Sequence, residues 1–333
     1  MAALVISLLA VLVLAALPFF GAGAGMAGVF GTIVPYAAVG IFLVGFAKKV
    51  IGWAATPVPF SIPTTGGQQY SLPWIKNQPF DNPSTAGGTF VRMALEVLCF
   101  RSLFRNTALD NRSDEGRVGY GSEKSLWLFS LMFHYTFLIV FVRHLRFFLE
   151  PVPMAITGIE FVDSILQIGV PTLYLTDVFF IVGVSFLLMR RIFDTKVAYI
   201  SLAADFFPLL LILAIALTGV WMRYVAKVDV IAIKELIMGL VTFKPVIPKN
   251  VDPLFYVHFF LVCVLWAYFP FSKLMHLGGV FLSPTRNLPN NTRMVRYENP
   301  WNDPSVKCHS YADYEDDFRE KMIECGLPVD KEA

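Results

Sequence analysis

Charged residues are scarce in this chain. Its 333 residues include 27 Lys and Arg and 25 Asp and Glu, so 16% are charged, against about a quarter in ordinary globular proteins. The formal net charge is only +2, and no basic block is long enough to neutralise a run of phosphates, which excludes nucleic acid as a partner. Cysteine is sparse too: Cys99, Cys263, Cys308 and Cys325 lie too far apart for a CxxC pair, a zinc knuckle or an iron–sulfur quartet. Without a CxxCH stretch, haem attached through thioether links is excluded as well. The Gly66–Gly67 pair in PTTGGQQ lacks the GxxxxGK spacing of a phosphate cradle and reads as a loop turn. The sequence has no internal repeat.

Apolar residues are abundant, at 56% of the chain, with a mean hydropathy of +0.61. A soluble fold has nowhere to hide that much apolar surface, and six stretches (2–20, 27–47, 126–149, 167–190, 202–222 and 254–280) come close to the ~20 residues needed to span a bilayer. Backbone groups inside lipid must bond internally, so each is predicted to be a helix. No positive segment precedes the first stretch, which favours a retained helix over a cleaved signal peptide.

Of the 27 Lys and Arg, 20 fall in the segments on one side of these spans and seven on the other. By the positive-inside rule both termini then face the cytoplasm of a prokaryotic cell. The expected division is an N-terminal membrane hairpin (1–50), a cytoplasmic loop (51–125), a four-helix core (126–281) and a cytoplasmic tail (282–333). Within the loop, residues 92–105 carry charges at 92, 96, 101 and 105 on one side of a predicted helix, which suits the inner membrane surface or a partner's underside. The tail has an N-cap signal at Ser310 with Asp313 three residues on. It has an apolar stripe of Tyr311, Tyr314, Phe318 and Met322, and a stop at Gly326 and Pro328. That helix is expected to dock onto a cytosolic subunit or to fold back on its own loop.

Histidine is the other rarity, and its placement is informative. Only five occur, and four lie in two apolar spans: His134 and His144 in the third, His258 and His276 in the sixth. A polar ring in a membrane needs a partner. Interhelical hydrogen bonds are one reading, and a metal-centred proton channel is another, for which carboxylates are few.

Geometry favours haem. Ten residues at ~1.5 Å rise separate His134 from His144 by about 15 Å, and eighteen separate His258 from His276 by about 27 Å, both within a ~30 Å core. Eighteen steps close five turns, so His258 and His276 are predicted to share a face of one continuous helix. The third and sixth spans run antiparallel, which pairs His134 with His276 on the inner side and His144 with His258 on the outer side. Ring tilt and a kink at Pro270 are expected to absorb the difference in spacing. Two histidines per iron leave no open position, so such centres carry electrons and bind no substrate.

The blocks FHYTFLIVFVRHLRFFLEPVP (133–153), KELIMGLVTFKP (234–245) and AYFPFSKLMHLGGVFLSPTRNLPNN (267–291) closely resemble the DsrM family, the membrane cytochrome b subunits of the DsrMKJOP complex. The likeness runs from about Pro59 to Pro328. More distantly, the histidine spacings are similar to those of the gamma subunit of respiratory nitrate reductase, a quinol-oxidising dihaem cytochrome b. The resemblance implies an all-α, six-span dihaem membrane bundle with two haem b groups on the same histidine pairs. It implies electron exchange between menaquinone or menaquinol and a DsrK-like iron–sulfur subunit at the cytoplasmic face. DsrK resembles the catalytic subunit of heterodisulfide reductase, and the scheme includes the other DsrMKJOP subunits and, indirectly, the sulfur carrier DsrC of dissimilatory sulfur metabolism. The chain is then an electron-transfer subunit that is not catalytic alone. A dihaem anchor of a hydrogenase, formate dehydrogenase or heterodisulfide reductase shares the haems and differs in partner; a haem-handling transporter or passive anchor is the alternative from another class.

In the nitrate reductase relative, quinol binds beside the outer haem, with a glycine before the outer histidine and a lysine early in the next helix. This sequence departs from that pattern: Arg143 precedes His144, and residues 160–168 hold Asp163 but no lysine. Arg143, Arg146 and Asp163 become the quinone candidates, because a quinone carbonyl needs a donor and its protons need an acceptor. Both arginines equally suit haem propionates or the interface. Asp177, expected near the middle of the fourth span, is a candidate proton relay, a partner for a ligating histidine, or a protonated structural carboxyl. Arg146, Arg223 and Lys273 lie at depths suited to propionates. His309 reads as a surface residue, and Cys263 and Trp266 as packing.

Overall fold

A computed structural model describes residues 2–56, 78–112, 116–165, 173–249, 251–291 and 309–331. The Gly66–Gly67 turn, Cys308 and the start of the expected fourth span lie outside the described residues. In chain order the elements are α1 (Ala2–Gly21), α2 (Val34–Ala54), α3 (Ala86–Cys99), α4 (Arg101–Phe104), β1 (Thr107–Arg112), β2 (Arg117–Ser122), α5 (Lys124–His144), α6 (Met154–Ile165) and α7 (Leu175–Phe193). They continue with α8 (Thr195–Ile200), α9 (Ala203–Trp221), α10 (Val230–Val241), α11 (Pro253–Tyr268), α12 (His276–Leu282), α13 (Pro284–Asn287) and α14 (Tyr311–Glu324).

Among the described residues, five helical stretches are long and apolar enough to cross a membrane: Ala2–Met26, Val29–Ala54, Lys124–Phe147, Ala203–Ala226 and Pro253–Phe271. Six were expected. The remaining one is α7, which begins later than the apolar run suggested and carries Asp177 in its first turn and Arg190 and Arg191 in its last. Those charges sit where the helix dipole favours them, acid at the N-terminus and base at the C-terminus. Asp177 is therefore at a helix end and not in mid-span.

Between helices in lipid, close packing supplies the association that water would otherwise drive. Gly183 on α7 allows this: a Cβ there would lie 3.0 Å from the Cβ of Phe133 on α5. One core joins Phe133, Phe180, Val184, Ile212 and Ala216 across α5, α7 and α9. A second joins Val11 of α1 and Leu188 of α7 to Leu211 of α9 and Leu261 of α11. A third packs α10 and α11 around Phe30, Leu236 and Phe255. On the outside of α1, Ile6, Leu9 and Val13 stay exposed, an apolar surface suited to lipid tails.

The expected continuous helix over 254–280 is broken, which corrects the five-turn argument. Helix α11 ends at Tyr268, and two short 3-10 turns, Phe269–Phe271 and Lys273–Met275, precede α12. Pro270 has no N–H to continue the ladder, and Ser272 is extended (φ −117°, ψ 174°), its hydroxyl accepting from the Leu274 N–H at 3.2 Å to start a new turn. His276 therefore opens its own helix.

The interfacial helix expected over 92–105 occurs as two pieces, because Phe100 takes a left-handed conformation (φ 51°) between α3 and α4. Its charges serve the protein itself: Glu96 pairs with Arg286 at 3.1 Å, and Arg101 and Arg105 pair with Asp81. The Trp127 indole donates to the Cys99 carbonyl at 2.8 Å, tying the loop to α5. The all-α expectation needs one further correction: β1 and β2 form an antiparallel hairpin with Leu109 opposite Tyr120 and Asn111 opposite Val118. In the tail, Ser310 and Asp313 form the capping box at the start of α14, and Gly326 follows its end at φ 68°. Glu315 is buried and accepts the backbone N–H groups of Asp330 (2.8 Å) and Lys331 (2.9 Å), folding the last residues back on the helix. Tyr311, Tyr314 and Phe318 remain exposed, whereas Met322 is buried.

Candidate functional site

The four membrane histidines meet in two pairs. The rings of His134 on α5 and His276 at the start of α12 have centroids 6.0 Å apart, with planes at 81°. Those of His144, the last residue of α5, and His258 on α11 are 6.5 Å apart, with planes at 22°. The break after Tyr268 swings His276 round to His134, so the pairing survives although the helix does not.

Each ring is held through Nδ1. His134 donates to the Ser130 carbonyl (2.7 Å), His144 to that of Val140 (2.7 Å) and His276 to that of Lys273 (2.8 Å). Nδ1 of His258 faces the Ile215 carbonyl (3.1 Å) and the Thr218 hydroxyl (3.0 Å), both on α9. A carbonyl only accepts, so Nδ1 carries the proton in each ring and Nε2 keeps a lone pair. This is the tautomer that lets the neutral ring bind a metal through Nε2 while a carbonyl oxygen holds its Nδ1–H.

Among the described residues, no group of three or more His, Cys, Asp and Glu comes together to hold an ion. Each pair offers two imidazole nitrogens and nothing else, a donor set that suits a planar metal complex bringing its own equatorial ligands. Metal–nitrogen bonds of about 2 Å put the centroids of two opposed imidazoles about 6 Å apart, the spacing of both pairs.

Beside His144 lies a buried polar cluster contributed by four segments. Arg143, 7% exposed, forms an ion pair with Asp163 of α6, 3% exposed. Thr176, at the start of α7, donates its hydroxyl to the same carboxylate (2.7 and 2.8 Å to its two oxygens). Arg143 also reaches Asp177 at 3.4 Å, and the Tyr224 hydroxyl donates to the other oxygen of Asp177 at 2.6 Å while accepting the Tyr174 backbone N–H at 3.0 Å. The guanidinium groups of Arg143 and Arg223 lie 4.4 and 4.0 Å from the centre of the Tyr174 ring, within cation–π range.

Of the predicted site residues, Arg143, Asp163, Asp177 and Arg223 thus converge. Arg146 does not join them; it pairs with Glu160 of α6. Lys273 donates to Asp205 at 2.6 Å near the other histidine pair. His309 is exposed, 4.0 Å from Asp317, and Trp266 packs on Phe42. Sequence reasoning missed Thr176, Tyr174, Tyr224 and Thr218. The signals were there: Thr176 precedes Asp177, Tyr224 follows Arg223, and Thr218 is the lone hydroxyl residue in the apolar run 206–222.

Among the described residues, five spanning-length apolar helices, with four histidines meeting in two pairs, define a multi-pass membrane protein. Residues 93–298 match the nitrate reductase gamma subunit family, and the chain belongs to that family. It is 45% identical over 285 residues to the Hdr-like menaquinol oxidoreductase cytochrome b-like subunit of Archaeoglobus fulgidus, covering 84% of this chain and 85% of the relative. It is 40% identical over 279 residues to the subunit of the same name from Archaeoglobus profundus, covering 82% of each.

Proposed function

We propose that this chain is the dihaem cytochrome b subunit of a membrane complex, carrying electrons between menaquinol and a heterodisulfide-reductase-like iron–sulfur partner. The observation that carries the reading is the meeting of the four membrane histidines in two pairs, 6.0 and 6.5 Å between centroids, each ring with Nδ1 bonded to an oxygen. His134 and His276 are the ligands of an inner haem b, and His144 and His258 those of an outer haem b. When bound, each haem would supply a one-electron couple held by its pair of histidines. The names of the two Archaeoglobus relatives support menaquinol as the quinol and an Hdr-like partner.

In this reading α7 is the sixth span and both termini face the cytoplasm, as the Lys and Arg distribution requires. The loop and the tail helix then lie on the partner's side. Menaquinol docks at the outer end, beside His144. Arg143, oriented by Asp163, is the donor to a quinone oxygen. Among the described residues, Asp163 is engaged by Arg143 and Thr176, whereas Asp177 takes the Tyr224 hydroxyl and a long contact from Arg143. Asp177 therefore receives a quinol proton, and Tyr224 holds it in place. Arg223 lies 4.0 Å from the centre of the Tyr174 ring and is the candidate donor to an outer propionate. Lys273 is at the right depth for an inner propionate but is shared with Asp205, and Arg146 is occupied by Glu160.

The DsrM likeness narrows the partner to a DsrK-like subunit within a DsrMKJOP-type complex, with DsrC reached through it, in dissimilatory sulfur metabolism. Affinity purification of the chain from its native membrane tests this. Co-purification of a cysteine-rich iron–sulfur subunit, with haem reduction by a menaquinol analogue, is the expected result. A nickel or molybdenum catalytic subunit in its place would reassign the complex.

A further inference from the structure

Three of the four histidines rest on carbonyls three or four residues back in the chain, His134 and His144 within α5 and His276 on the 3-10 turn that precedes α12. His258 differs. Its Nδ1 is received by another helix, α9, through the Ile215 carbonyl at 3.1 Å and the Thr218 hydroxyl at 3.0 Å. The Thr218 hydroxyl has its own proton committed to the Ala214 carbonyl at 2.8 Å and the Ile215 carbonyl at 3.0 Å. Toward His258 it can only accept. The next residue completes the seat: a Cβ on Gly219 would stand 3.1 Å from Cε1 of His258, so the absence of a side chain there lets α9 back directly onto the ring.

We propose that Thr218 and Gly219 are positioning residues for the outer centre, with Thr218 setting its reduction potential by accepting the His258 Nδ1 proton and Gly219 admitting the ring. This rests on the dihaem reading above. An acceptor on Nδ1 makes the imidazole more basic and a better donor to the ferric iron, which lowers the potential of that centre alone. Three histidines have a rigid main-chain acceptor; His258 also has a side-chain one, so its electronic character responds to substitution on a neighbouring helix.

The test is a potentiometric titration of the intact membrane protein, followed optically and by EPR, in wild type, Thr218→Val, Thr218→Ser and Gly219→Ala. Valine keeps the shape and removes the acceptor. One of the two potentials should rise in Thr218→Val, by up to about 59 mV for a tenfold change in a one-electron equilibrium. The other should stay fixed, and Thr218→Ser should return the moved potential toward wild type. Gly219→Ala should alter the EPR signal of the same centre. Two haems with unmoved potentials and signals in Thr218→Val and Gly219→Ala would overturn the proposal while leaving the dihaem reading intact. A folded wild type without haem would overturn both.

Discussion

Removal of Asp163 is a demanding test of the buried cluster. Its carboxylate, 3% exposed, faces an arginine that is itself 7% exposed. Asp163→Ala leaves the guanidinium with the Thr176 hydroxyl at 3.3 Å, Asp177 at 3.4 Å and the Tyr174 ring, and takes the acceptor from the Thr176 O–H. Breaking a buried ion pair by deleting one partner costs about 3–5 kcal/mol, a factor of at least about a hundred in the folded-to-unfolded ratio. Deleting both charges is cheaper, since an apolar pair of similar volume is often neutral. The double variant Asp163→Leu/Arg143→Met should therefore lose less than Asp163→Leu alone, with a coupling of about 2 kcal/mol or more in the cycle closed by the single variants Asp163→Leu and Arg143→Met. The assay is denaturation of the detergent-purified protein, read as the monodisperse fraction on size exclusion. If Asp163→Ala cost under about 1 kcal/mol, or if the two substitutions simply added, the pair would be a surface-like contact and Arg143 would not be held for a ligand.

Asp177→Asn should slow oxidation of a menaquinol analogue and flatten its pH profile without removing haem, whereas an unchanged profile would take Asp177 off the proton route. Tyr224→Phe should act in the same direction and also cost about 1–3 kcal/mol, because it strands the Tyr174 N–H; thermal denaturation measures that part. The two imidazole pairs have different plane angles, 81° and 22°, so oxidised protein should give two low-spin EPR signals. The more anisotropic one should vanish in His134→Ala, and loss of the other signal instead would reverse the assignment. In the tail, the N–H groups of Asp330 and Lys331, with Arg319 beside them, hold the Glu315 carboxyl below its ordinary range. A lowered folded value means the stabilisation is present above the unfolded pKa, near 4.3, and is lost as pH falls through the folded one. Protection of the residue 330 and 331 amides, with each exchange rate divided by its intrinsic value at the same pH, should fall on acidification in that window, and Glu315→Gln should remove this pH dependence.

The membrane character and the histidine pairing were legible because each follows from one-dimensional quantities: apolar run length, charge count and the direction of successive crossings. The rings that meet, His134 with His276 and His144 with His258, are those the antiparallel order brings together, although the helix between His258 and His276 is not continuous. Periodicity alone implies one helix from His258 to His276, whereas Pro270 and Ser272 break it; the antiparallel order of the spans suffices to place these rings near one another. Asp177 was misplaced because hydropathy marks where a run is apolar, and helix ends are set by capping and by charge at the dipole. The cluster around Arg143 was half visible. Its charged members stand out in an apolar chain, but Thr176 and Tyr224 come from other segments and matter only through three-dimensional convergence. The β1–β2 hairpin went unseen since its residues show little alternation between polar and apolar.

The central claim is that two bis-histidine haem centres sit inside this bundle. It is tested most directly by pyridine-haemochrome quantitation with a redox-titrated optical spectrum on the purified protein, His134→Ala and His144→Ala. The account predicts two b-type haems per wild-type chain and about one in each variant, with a different potential lost each time. A folded wild type without haem, or variants that each retain two, would contradict it.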